Sequence, residues 1–166
     1  MPHPLALAWQ PVSGPGGNGG PDAEGALPPE LERVLDLFSR LGREQTMQAL
    51  VDYANRFPEL PHRFAALAAS EEHKVHECMT PVALFSEVDD GAIRFYADVP
   101  KNAPTIRALL SILMTGLNGR PAGDVLAIPS DFVTRLMRNV GLSTRERGLQ
   151  AILARMKRHA RDALTA

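Results

Sequence analysis

Within residues 73 to 91, HKVHECMTPVALFSEVDDG, five side chains able to do chemistry fall in six positions: His73, Lys74, His76, Glu77 and Cys78. Cys78 is the only cysteine of the chain. One cysteine cannot form an internal disulfide, and it cannot alone supply the thiolates of a structural zinc site or an iron-sulfur cluster. Two readings of the sulfur remain open. A free cysteine is among the most buried residue types and commonly acts as a small inert hydrophobe. The other reading is a reactive nucleophile.

The surroundings bear on that choice. Pro81 lacks a backbone donor and favours a strand entrance, which puts Cys78 at a bend where a loop can offer a side chain to a partner. If residues 74 to 78 are extended, Lys74, His76 and Cys78 share one face, with Val75 and Glu77 on the other. A free thiol is only a few per cent thiolate at neutral pH; neighbouring cations raise that fraction and a neighbouring carboxylate lowers it. The two histidines and the cysteine could supply three metal ligands, but the spacing matches neither a helical pair nor a zinc knuckle, so no metal is expected. No nucleophile elbow supports a serine hydrolase.

The elements that must position this loop follow from periodicity. Leu31, Val34, Leu35, Phe38 and Leu41 recur at helical spacing after Pro28 and Pro29 and before Gly42, which predicts an amphipathic helix. A second helix carries Met47, Leu50, Val51 and Ala54 on one side and ends before Pro58. The stretch RFAALAAS predicts a short helix. Residues 81 to 88 and 92 to 98 flank Asp89, Asp90 and Gly91 and read as a β-hairpin, with a third short strand through Lys74 to His76. Pro104 opens a buried helix with Ile106, Leu109, Leu110, Leu113 and Leu117, closed by Asn118 and Gly119. Short helices follow near Asp124 to Ala127 and Asp131 to Met137, the second with Ser130 as N-cap. The last helix, Ser143 to Leu164, places Leu149, Ile152, Leu153 and Met156 on one face. The expected fold is α+β: a small antiparallel three-stranded sheet packed against N- and C-terminal helices.

Composition narrows the function classes. The chain has 166 residues, 45% of them hydrophobic, which suffices for one domain with a real core. Residues 1 to 29 hold 7 of the 14 prolines and 6 of the 13 glycines, which predicts a disordered tail before a domain over residues 30 to 166. Leu7 and Trp9 are the tail's only docking candidates. A net charge of −1 and a sequence pI near 6.5 argue against nucleic acid or an anionic membrane surface as partner. No apolar run approaches the roughly 18 residues of a membrane span, and the start lacks the pattern of a signal peptide, so the expected location is cytoplasmic. The glycines from Gly14 to Gly20 follow no strand and are not a phosphate loop.

From Leu31 to the C-terminal end the chain resembles the SufE family of cysteine desulfuration proteins. The resemblance rests on the Leu60-Pro61 turn, the cysteine loop and the strand ending Glu87-Val88-Asp89-Asp90-Gly91. It continues through Phe95 to Asp98, Thr105 to Leu117, Pro121 to Ile128 and the run Leu142 to Leu149. The family loop often reads V-x-G-C-Q-S; here it is Val75-His76-Glu77-Cys78-Met79-Thr80, with Glu77 for glycine, Met79 for glutamine and Ala83 where a tryptophan is customary. The late motif, similar to L-S-x-x-R-x-x-G-L, is one residue shorter before Arg145. The resemblance implies a SufE/IscU-like fold and a sulfur acceptor. By that resemblance Cys78 would take a persulfide sulfur from a SufS-type cysteine desulfurase and relay it to an iron-sulfur scaffold or another sulfur recipient, stimulating the desulfurase as an accessory and not as a stand-alone catalyst. His76, Glu77, Asp98 and Arg145 are the candidate loop or partner contacts, with Arg107 a looser match. No cofactor is expected on this chain; pyridoxal phosphate belongs to the partner. Two alternatives stay open: a dedicated carrier for a thio-cofactor or sulfur-containing product, and a non-catalytic binding module with an inert, buried Cys78.

Overall fold

The structure is a computed structural model in which residues 27–141 and 146–165 are described. Most of the expected tail, with Leu7 and Trp9, and the candidate Arg145 lie outside the described residues.

Helix α1 (Pro29–Arg40) starts on a proline, which costs nothing in a first turn where the backbone donor has no intrahelical partner, and buries Leu31, Val34, Leu35 and Phe38 as the spacing predicts. Helix α2 (Arg43–Asn55) exists where expected but is rotated from the predicted face. It buries Thr46, Leu50 and Ala54, while Met47 and Val51 are 42% and 44% exposed. The sequence pattern misses this because Thr46 reads as polar. Its hydroxyl donates to the Gly42 carbonyl at 2.9 Å, so the side chain enters the core with its polar atom satisfied inside the helix.

The predicted short helix at RFAALAAS is instead a single 3-10 turn, His62–Phe64, followed by irregular turns. Its role is to lay Phe64 on the outer face of the sheet, with ring centroids 4.8 Å from Phe85 and 5.0 Å from Tyr96. Arg63 stacks over Phe64 and Tyr96 and makes a two-pronged ion pair with Glu87 at 3.0 and 2.8 Å. The bond from Arg63 holds the Glu87 carboxyl below the usual carboxylate range.

Strands β1 (Ala83–Asp89) and β2 (Ala92–Asp98) form the expected antiparallel hairpin, with Asp89 opposite Ala92. Asp90 and Gly91 both take positive φ, 51° and 80°, the twist that a two-residue hairpin turn requires and that an aspartate-glycine pair tolerates. The sheet has three strands as predicted, but the third is not the one expected. It is β3 (Arg120–Pro121), paired antiparallel with Ala92 and Ile93 of β2. Lys74 makes only a single bridge to Ala83 at the opposite edge. The chain then turns, with the Cys78 N–H donating to the Val75 carbonyl at 3.2 Å, so no ladder develops through His76.

Behind the sheet, α3 (Pro104–Leu117) is buried along almost its whole length; Leu109, Leu110, Leu113 and Leu117 are wholly enclosed. Asn118 ends it as expected and ties it to β2, accepting from the Phe95 N–H at 2.8 Å and donating to the Phe95 carbonyl at 3.2 Å. Helices α4 (Ala122–Leu126) and α5 (Phe132–Leu136) are short; the N-cap of α5 is Asp131, not Ser130, and no side chain caps it. Helix α6 (Glu146–Thr165) buries Leu149, Ile152, Leu153, Met156 and Ala160, the predicted face. The architecture is α+β, a three-stranded antiparallel sheet with helices before and after it in the chain. Among the described residues no helix is long and apolar enough to cross a membrane.

Candidate functional site

Cys78 sits in the turn between Val75 and the entrance of β1, at the predicted bend. The base of the turn is closed by the Val75 N–H donating to the Val82 carbonyl at 2.9 Å. Because the chain turns here, strict alternation fails: Val75 and Cys78 both point inward, 2% and 9% exposed, while His76, Glu77 and Met79 are exposed. Val75 acts as the anchor that pins the loop to the core.

The expected basic face around the sulfur is not formed. Lys74 pairs with Glu71 at 3.0 Å, and the hydrogen bond from Lys74 holds the Glu71 carboxyl below its ordinary range. His76 is engaged by the same residue, Nε2 lying 3.0 Å from the Glu71 carbonyl oxygen. His73 stacks on Phe85 with ring centroids 4.7 Å apart. None of His73, Lys74 and His76 lines the cleft at Cys78. Among the described residues no group of three or more His, Cys, Asp or Glu side chains could hold a metal ion.

What surrounds the sulfur comes from distant parts of the chain. A cleft of about 470 Å³ opens beside Cys78, lined by Glu77, Met79, Thr80 and Pro81 of the loop, Asn102, Ala103 and Ile106 at the start of α3, and Arg147, Gly148 and Leu149 of α6. Gly148 explains how closely the loop and α6 pack. A Cβ at that position would stand 3.3 Å from Cys78 Sγ and 3.7 Å from its Cα. Glycine in a helix costs up to about 1 kcal/mol relative to alanine, and here it leaves the thiol room against the helix. Arg147 brings a positive charge to the mouth of the cleft and is exposed.

Of the candidates among the described residues, Glu77 lies with Cys78 at one cleft, whereas His76, Asp98 and Arg107 do not line it. His76 points to Glu71. Asp98, the last residue of β2, is exposed and lines a separate small hollow with Lys74, Pro81 and Ala83. Arg107 donates to the Val99 carbonyl at 2.8 Å and stacks over Phe57, which makes it a brace for the start of α3. Arg147 and Gly148 were not among the candidate site residues, although Gly148 is the glycine of the late motif. The signal for Gly148 was a glycine inside a helical pattern, where alanine would be favoured. Asn102 and Ile106 carry no local signal, since only the packing of α3 behind the loop brings them to the sulfur.

Such an arrangement suits a thiol that is sheltered at rest and handed to a partner. A cleft with an apolar floor of Ala103, Ile106 and Leu149 has room for an atom added to Sγ while limiting the access of water.

Comparison with known proteins places the chain in a family. A family model described as the SufE, Fe-S metabolism associated domain matches residues 32–160. An uncharacterized SufE-like protein of Mycobacterium tuberculosis is 38% identical over 143 residues, covering 85% of this chain and 98% of the relative. The SufE-like protein 1, chloroplastic/mitochondrial, of Arabidopsis thaliana is 27% identical over 136 residues, 81% of this chain and 35% of the relative. The solution structure of a hypothetical protein from Thermus thermophilus superimposes with a TM-score of 0.72 at 35% identity, covering 85% of this chain and all of that one. A domain match over most of the chain, a relative of similar length and the shared fold together establish that this chain belongs to the SufE family, and with that membership goes a role in sulfur transfer with a cysteine desulfurase.

Proposed function

We propose that Cys78 is the sulfur acceptor: it takes the outer sulfur of a persulfide on a SufS-type cysteine desulfurase and relays it for iron-sulfur cluster assembly, raising the turnover of the desulfurase. The observation that carries this reading is the placement of the one cysteine, at a loop tip and against a cleft with room beside Sγ. In the transfer the Cys78 thiolate attacks the outer sulfur of the donor persulfide. A new sulfur-sulfur bond forms at Sγ, the donor's sulfur-sulfur bond breaks, and its electron pair leaves on the desulfurase thiolate. The step is redox-neutral. The pyridoxal phosphate that extracts sulfur from cysteine resides on the desulfurase.

At 9% exposure the thiol cannot meet a sulfur held by another protein until the loop lifts. The turn from His76 to Thr80 is suited to lifting: its anchor Val75 is buried, whereas Glu77 and Met79 are exposed.

The test is desulfurase turnover. Sulfide release from cysteine by the desulfurase, followed in the presence of reductant, rises several-fold with the wild-type protein and stays at the basal rate with Cys78→Ser. Equal stimulation by both proteins would remove Cys78 from the reaction.

A further inference from the structure

We infer that Met79 is a docking residue for the desulfurase, an apolar knob that seats in an apolar socket beside the desulfurase's persulfide and so selects the partner. The inference rests on Cys78 being the acceptor, and it adds the contact that decides which donor is accepted.

Three observations carry it. Met79 is fully exposed, at 103%, whereas the other exposed large hydrophobic side chains among the described residues reach at most 60%. An unbranched, polarisable thioether held wholly in water gains nothing for this chain's own stability, so its gain must come from burial elsewhere. The second observation is its place in the chain. Met79 directly follows the nucleophile, and consecutive Cα atoms lie about 3.8 Å apart. Transfer brings Cys78 Sγ to bonding distance of a sulfur on the donor protein, so the donor's surface necessarily encloses position 79 at that moment.

The third observation is what lies around it. Glu77 and Met79 flank the cysteine on the exposed side of the loop, and Arg147 stands at the cleft mouth. The surface offered to the desulfurase thus combines an apolar knob with one negative and one positive group at the same cleft. A fitting partner carries an apolar pocket at its sulfur with a cation and a carboxylate on its rim. Buried anchors of this kind, ringed by polar contacts, dominate interface energetics.

The test uses the full-length protein and two sulfur donors. With the desulfurase and cysteine, the concentration of acceptor giving half-maximal stimulation rises about tenfold for Met79→Ala and Met79→Asp, stays close to wild type for Met79→Leu, and the maximal rate changes little for Met79→Ala. With cysteine hydropersulfide as a small donor, which needs no socket, the uncharged variants Met79→Ala and Met79→Leu load Cys78 at the wild-type rate. Unchanged half-saturation in Met79→Ala would overturn the inference while leaving Cys78 as acceptor. A parallel loss with the small donor would also overturn it, by showing that Met79 acts on the thiol. Failure of the wild-type protein to load from any desulfurase would overturn both.

Discussion

At the scale of single residues, the contact that matters most is Gly148 against Cys78. A methyl group placed 3.3 Å from Sγ is tighter than a comfortable van der Waals separation, and the loop is the softer of the two partners because α6 is held by a row of buried side chains. Gly148→Ala therefore displaces the cysteine loop outward while the helix stays in place. Alkylation of Cys78 by iodoacetamide should accelerate several-fold in this variant, with a melting temperature equal to or slightly above wild type because alanine is the better helix former. A slower or unchanged alkylation rate would mean that the loop does not rest on α6. The same contact shows why a local reading of the sequence reaches only part of the site. Val75, Cys78 and Pro81 announce a bend carrying a thiol, but the partners of that thiol lie about 25 residues on in α3 and about 70 residues on in α6, and nothing in the loop specifies them. The extended alternation expected for residues 74 to 78 failed for a related reason: a turn closed by one backbone hydrogen bond puts Val75 and Cys78 on the same side.

At the scale of elements, α6 is the member that links the loop to the sheet. Its first described turn meets Cys78 through Gly148, Arg155 donates to the Glu72 carbonyl at 2.6 Å, and His159 Nδ1 lies 2.6 Å from Ser86 Oγ on β1. His159 is set among Ser86, Phe95 and His73, with Arg155, Arg158 and Asp162 on its own helix. Burial, followed by the positive charge of Arg155, pushes its pKa down to about 4 from the ordinary 6.5, and Asp162 opposes this in part. The unfolded chain therefore takes up a proton on this ring between those values while the folded chain does not. Stability is fully present above about pH 6.5 and falls as the pH drops toward 4. The partly solvated ring should contribute on the order of 1 to 2 kcal/mol over that interval. Urea unfolding at pH 7 and at pH 5 checks it: His159→Gln, which can still bond Ser86, should lose less stability than wild type between the two. An equal loss in both proteins would assign the acid sensitivity to other groups.

The elements themselves were largely legible. Proline at a helix start, the aspartate-glycine hairpin and the apolar stripes of α1, α3 and α6 each state a local physical preference that the packing also satisfies. Where local and tertiary demands differ, the pattern misleads. Thr46 is core because its hydroxyl is satisfied inside α2, and a two-residue strand at Arg120–Pro121 is too short to show a period.

At the scale of the whole molecule, the cysteine turn lies at the edge of a continuous core. The hairpin, α3 and α6 share a continuous core, in which Phe95, Leu113 and Ile152 are at most 1% exposed, and the cysteine loop crosses the end of that core with Val75, Cys78 and Val82 turned into it. The proposed sulfur chemistry at the loop and the stability of the core are therefore separable by mutation. Leu113→Ala should destabilise the protein by about 2 to 5 kcal/mol, read from the denaturation midpoint, whereas Cys78→Ser should leave the unfolding transition nearly where it was. The central claim is that Cys78 accepts sulfur, and intact-mass spectrometry after incubation with a cysteine desulfurase and cysteine tests it most directly. The protein should gain the mass of one or more sulfur atoms, fragmentation should place them on the peptide containing Cys78, and a thiol reductant should remove them. Recovery of an unmodified chain after incubation with each candidate desulfurase would contradict it.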